Sequence, residues 1–187
     1  FEYDDVHRVL AQIPGVYVRE EDGFGLRPNI GLRGASSDRS AKLTLMEDGI
    51  LLGPAPYSAP AAYYFPIMTR MSGTEVFKGP ASIKYGPSTI GGALNLKTRP
   101  VPKGSLLGLD VAGGQFMSGK AHVLAGYGGK NAGVLLEGVH LRTDGFKELD
   151  DGGPTGFAKN EGMLKGYYRT TTDSNHFHEL ELKLGYS

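Results

Sequence analysis

Cysteine and tryptophan are both absent from this chain of 187 residues. Without cysteine there can be no disulfide, no thiolate-held zinc or iron–sulfur centre and no cysteine nucleophile. An excess of charge of either sign is missing too: 20 Lys+Arg stand against 20 Asp+Glu, with no basic stripe. That balance argues against a nucleic-acid partner, whose binders carry a positive footprint. No run approaches the roughly 20 apolar residues that a membrane-spanning helix needs. The chain opens on Phe1 rather than Met and stops at Ser187 inside an alternating run, which reads as a piece of a longer polypeptide. What the chain does have is glycine, at 29 positions. That is about twice the usual share of ~7%, and it points to many tight turns and a β-rich fold.

The first hundred residues read as mixed α and β. Val6, Val9, Leu10 and Ile13 share one helical face behind the acids Asp4 and Asp5, and Pro14-Gly15 ends that helix. Val16 and Val18 alternate as in a short strand. A strand over 42–46 runs into the hairpin pair Asp48-Gly49 and resumes at 50–52. From Gly53 to Pro66 there is too much proline for a central strand, so a surface loop is expected. Strands follow at 74–78 and 92–99, with a helical turn at 80–84 between them. Arg99-Pro100-Val101-Pro102-Lys103-Gly104 reads as a linker region.

Beyond it the helical period disappears. Strands of about ten residues are expected at 106–117, 119–128, 132–143, 161–171 and 175–187. In the last of these Leu180, Leu182, Leu184 and Tyr186 share one face and Glu179, Glu181 and Lys183 the other. A membrane-crossing β-strand has this length and alternation, and so does an edge strand of a soluble sheet. The insertion 144–160 against the short turn at 128–131 matches the unequal loops of an outer-membrane barrel.

The most specific segment is Thr74-Glu75-Val76-Phe77-Lys78-Gly79-Pro80-Ala81-Ser82, continuing through Tyr85-Gly86 to Gly91-Gly92-Ala93-Leu94-Asn95. With Gly31-Leu32-Arg33-Gly34 and Leu45-Met46-Glu47-Asp48-Gly49-Ile50 it resembles, in order, the plug signatures of TonB-dependent outer-membrane receptors. Ala55-Pro56-Tyr57 and Lys84-Tyr85-Gly86-Pro87 make the resemblance nearest to the ferric-citrate branch. The resemblance implies an α+β plug domain, a mixed sheet with short helices, over 1–100, a linker at 101–104, and the first antiparallel strands of a truncated transmembrane β-barrel over 105–187. It implies active uptake of a ferric chelate, ferric citrate or a related carboxylate siderophore, across the bacterial outer membrane. The partners it implies are outer-membrane lipid and a TonB-type energy-transducing protein that grips a box upstream of Phe1.

On that analogy the plug apex is built from the turns 35–41, 55–64 and 87–90. Ser36, Ser37, Asp38, Arg39, Tyr57, Ser88 and Thr89 are then the candidate ligand contacts, Arg39 offering a charge-assisted donor to a carboxylate-rich iron chelate. Arg33 and Lys78 are candidate plug–barrel contacts. The family usually has arginine at position 78, and lysine lacks the planar bidentate fork. No cofactor is implied, since iron travels inside the chelate, and no metal site is assigned. His176 with His178, and the acids Asp144, Glu148, Asp150 and Asp151, lack a metal-binding pattern. Residues 86–92 lack the lysine of a phosphate loop, and no hydrolase motif occurs, so no enzyme is expected. The same receptor class with cobalamin, another metal complex or a saccharide as cargo, and a soluble β-rich binding module, are the alternative readings.

Overall fold

The computed structural model describes residues 4–21, 23–52, 64–86, 89–147, 149–150, 152–153, 155–173 and 176–187. It divides into two compact units, Phe1–Arg99 and Pro100–Ser187.

Unit 1 starts with helix α1 (Val6–Leu10), capped by Asp5, whose side chain accepts from the His7 amide. The apolar period predicts a helix reaching Ile13, but the helix ends at Leu10. Pro14 disfavours helical geometry at the residue before it, and Ile13 closes a turn on the Leu10 carbonyl instead. Strands β1 (Val16–Arg19) and β2 (Asn29–Leu32) pair antiparallel. Here Tyr17 lies opposite Gly31, and its ring occupies the space that a Cβ on Gly31 would need.

The main sheet of unit 1 contains β3 (Leu43–Glu47), β4 (Ile50–Leu51), β5 (Met71–Phe77) and β6 (Gly92–Thr98), in the order β4-β3-β6-β5. Asp48 and Gly49 both have positive φ, 50° and 83°, as the hairpin between β3 and β4 demands. β3 and β6 run parallel with Leu43 opposite Gly92, so the sheet is mixed. β5 begins three residues before the sequence pattern suggests and carries a bulge between Met71 and Gly73. A 3₁₀ turn, Pro80–Tyr85, follows it. Val6, Leu10, Ile30, Leu32, Leu43, Leu45, Phe65 and Leu94 form the buried core. The proline-rich stretch 53–63 lies outside the described residues.

Unit 2 is one antiparallel sheet of β7 (Gly104–Gly113), β8 (Gly119–Gly128), β9 (Ala132–Thr143), β10 (Phe157–Asp173) and β11 (His176–Tyr186), each strand beside its sequence neighbour. β7 starts at Gly104, inside the expected linker, and ends four residues before Met117. The reason is local: Phe116 and Met117 have φ of 57° and 50°, and the Ser118 amide closes a tight turn on the Gln115 carbonyl. β10 starts at Phe157, because the pairing of Phe157 with Thr143 extends the ladder into the expected insertion.

The register sorts the side chains of unit 2 onto two faces. One row reads Leu107, Ala125, Leu136, Leu164 and Leu184 across five strands, and Leu107 is 84% exposed. The opposite face holds ion pairs: Asp110–Lys120 at 2.8 Å, His122–Glu137 at 2.7 Å and Lys159–Glu161 at 3.1 Å. That face also buries Leu135, Val139 and Met163 beside the ion pairs, while the leucine rows of the other face stay exposed, where a soluble sheet would cover them. The connections 114–118 and 144–156 leave one end of the sheet, and 129–131 leaves the other. No helix among the described residues is long and apolar enough to cross a membrane, which says nothing of crossing by strands.

Candidate functional site

Because β3 and β6 are parallel, the segments that lead into them emerge at the same end of the sheet. The Gly91 amide donates to the Lys42 carbonyl at 2.8 Å, and a Cβ on Gly91 would stand 3.4 Å from that of Ala35. The turn at 35–41 and the turn holding Thr89 therefore abut. This places Ser36, Ser37, Asp38, Arg39 and Thr89 at one end of unit 1. Tyr57 and Ser88 lie outside the described residues.

The first turn is strained and clamped. Arg39 and Ser40 are consecutive non-glycine residues with φ of 47° and 56°, a left-handed geometry that costs roughly 1–2 kcal/mol each. Two buried side chains hold it. Asn29 Oδ1 accepts from the Arg39 amide at 2.7 Å while its Nδ2 donates to Glu21 at 3.0 Å. The Ser40 hydroxyl donates to the Pro28 carbonyl and accepts from the Ile30 amide, both at 3.0 Å. The result leaves the Arg39 side chain exposed on a rigid support. Asp38 pairs with Arg19 at 3.6 Å across water-exposed surface, and its amide donates to Ser36 Oγ at 3.3 Å. Such an exposed pair contributes little. In the second turn, Thr89 Oγ1 donates to the Gly86 carbonyl at 3.0 Å.

Asn29 and Ser40 escape sequence reasoning because nothing local marks them; only the fold brings them beneath the turn. Asn29→Ala leaves the Arg39 amide and Glu21 without a partner. It is expected to destabilise the turn by about 1–3 kcal/mol. Faster hydrogen exchange at the Arg39 and Ser40 amides would report that loss, and unchanged exchange would refute the clamp.

Lys78 and Arg33 sit around the Pro14-Gly15 turn. Lys78 Nζ donates to the Pro14 carbonyl, the Arg33 amide donates to the Gly15 carbonyl at 2.9 Å, and Arg33 Nη1 lies 3.4 Å from where a Cβ on Gly79 would be.

The signature residues away from the turn form a second network. Arg70, 4% exposed, reaches Glu47 at 3.2 and 3.4 Å through its two terminal nitrogens. Asp48 accepts from the Thr98 amide at 2.9 Å and from the Thr98 hydroxyl at 2.5 Å. Asn95 accepts from the Gly49 amide and donates to Glu75, each at 2.8 Å. The Glu47-Asp48-Gly49 and Asn95 positions are thus two halves of one brace that closes the β3–β4 hairpin onto β6.

The family described as TonB-dependent Receptor Plug Domain matches residues 2–93. Those residues are such a plug. The brace and the turn at 35–41 are therefore parts of a plug, and five antiparallel strands in an open sheet follow it, with the fold of a solved transporter that contains them. A vitamin B12 transporter, BtuB, of Photobacterium profundum is 28% identical over 155 residues, covering 79% of this chain and 25% of that protein. The copper transporter OprC superposes with a TM-score of 0.69 at 22% identity, over 97% of this chain and 28% of that one. A variant of the ferric enterobactin receptor PfeA from Pseudomonas aeruginosa, in complex with enterobactin, gives 0.64 at 15% identity, over 97% and 30%. The chain thus spans about a quarter of the length of the curated relative it matches.

Proposed function

We propose that this chain is the plug and first barrel strands of an outer-membrane receptor that takes up a ferric chelate, ferric citrate or a related carboxylate siderophore. The observation that carries the reading is the two-faced sheet that follows the plug in the same chain. Its outer rows are exposed leucines and its other face holds ion pairs, the distribution of a wall between lipid and a polar lumen. In this reading the exposed rows meet outer-membrane lipid. A barrel wide enough for such transport leaks unless it is filled, and the plug fills it. In the same reading a TonB-type protein pulls on a box upstream of the plug.

The cargo rests on the clamped apex turn. Arg39 is exposed on the turn that also holds Ser36 and Ser37, with the Thr89 turn next to it, and a cation there suits carboxylates around iron. Titration of the intact protein in detergent with ferric citrate, other ferric siderophores and cobalamin tests the assignment. Ferric citrate is expected to bind, and Arg39→Ala to weaken it about tenfold to a hundredfold, the loss of one hydrogen bond to a charged group. Vitamin B12 uptake is the rival cargo favoured by the sequence relative. Binding of cobalamin alone would overturn the substrate and leave the receptor class standing.

A further inference from the structure

Three ligand-type side chains that take no part in the apex meet where α1 packs beside the end of β1. Asp5 Oδ1 lies 2.8 Å from His7 Nδ1, and Glu20 Oε1, directly after β1, lies 3.8 Å from the same nitrogen. The three donor atoms all fall within 4.8 Å of one another. A triangle with sides of 2.8, 3.8 and at most 4.8 Å has its centre about 2.4 Å or less from every corner. Small side-chain adjustments bring that to the roughly 2.0–2.2 Å that zinc makes to imidazole nitrogen and carboxylate oxygen.

Charge points the same way. Among the described residues neither Asp5 nor Glu20 touches a lysine or arginine, and each has His7 as its one basic neighbour. Two carboxylates therefore share one imidazole. His7 Nε2 is buried and bonds to nothing among the described residues. Ligation through Nδ1 requires the ring proton on Nε2, and Nδ1 then turns its lone pair toward the two carboxylate oxygens, an arrangement that a cation stabilises and a neutral ring does not. The ligands are also held in place. Val6 and Leu10, both 0% exposed, lock α1 into the core, and Asp5 is fixed by capping the helix through the His7 amide.

We propose that Asp5, His7 and Glu20 bind a divalent first-row metal ion of the zinc or copper class, with water in the remaining position. One imidazole and two carboxylates form a borderline donor set that suits these ions better than calcium or magnesium, which favour oxygen alone. The ion fastens the segment ahead of α1 to the end of β1. The site shares no residue with the 35–41 turn, although Glu20 lies between Arg19 and Glu21, which reach Asp38 and Asn29, and it does not depend on the cargo.

The test uses the intact protein, stripped of metal in detergent and given cobalt(II) or zinc(II) with no chelate present. Cobalt absorption in the visible range reports nitrogen and oxygen ligation, and zinc competes it away. One bound ion per chain is expected, with affinity falling about tenfold to a hundredfold in His7→Gln and in Glu20→Gln. Glu20 has an exposed side chain, so its variant folds even where His7→Gln perturbs α1. Undiminished binding in both variants would put the metal elsewhere. No binding at millimolar ion would leave only a hydrogen-bonded histidine–carboxylate pair. Either result overturns the proposal.

Discussion

Glu47→Gln is expected to loosen the plug by up to about 3–5 kcal/mol, because it removes the carboxylate that faces the buried Arg70 guanidinium. The two side chains are 5% and 11% exposed, so water cannot replace the lost carboxylate. Replacing both partners together, as Glu47→Leu with Arg70→Met, removes the charges along with their desolvation and should recover most of the loss. Hydrogen exchange at the β3 and β6 amides measures the effect within the plug, where opening should become about a hundredfold easier in the single variant. If the double variant is as loose as the single one, the pair is not what holds β3 to the 3₁₀ turn Met68–Arg70.

Gly92→Ala is the second large effect, expected at about 2–5 kcal/mol from the strain and packing costs that follow. Gly92 opens β6 at a φ of 143°, a backbone conformation that side-chain-bearing residues rarely adopt. A Cβ there would run into the carbonyl oxygen of Phe77 on β5 and stand 2.8 Å from Leu32 Cδ1 in the core. Left-handed strain contributes roughly 1–2 kcal/mol and overpacking roughly 1–3 kcal/mol. The neighbouring strand cannot move aside without breaking the pairing of Phe77 with Ala93. Gly34→Ala provides the contrast, since Gly34 has positive φ but nothing within 4 Å of its would-be Cβ. It should lose the strain alone. Exchange rates in β5 and β6 that are equal for the two variants would refute the steric part of the argument.

These two positions also show how the signature works. The Glu47-Asp48-Gly49 run and the Gly91-Gly92 through Asn95 run lie far apart along the chain, yet they meet on adjacent strands β3 and β6. Their resemblance to a family can be read without knowing what those residues do. The structure supplies the answer: an ion pair, a hairpin glycine, an asparagine that bridges Gly49 to Glu75, and a glycine that lets β6 pass close to β5.

The candidate turn at 35–41 is legible in the sequence for a different reason. Arg39 and its serines stand out as a polar turn between apolar strands, and turn chemistry is local. Asn29 and Ser40 do not stand out, because a buried polar side chain is recognised by its partners and those lie ten and twelve residues away. The same holds for Asp5, His7 and Glu20, where β1 brings the glutamate back to the helix it followed.

Local chemistry decided the elements. The strand period, the Pro14 stop, the Asp48-Gly49 hairpin and the ten-residue strands after Gly104 follow from backbone geometry that each short segment carries within itself. Tertiary structure decided which segments share a surface. The parallel pairing of β3 with β6 puts two distant turns side by side, and cross-strand register gives unit 2 one face of exposed leucines and another where ion pairs sit among buried apolar residues. Register depends on the summed fit of whole strands to one another, and a single segment contains only half of that information.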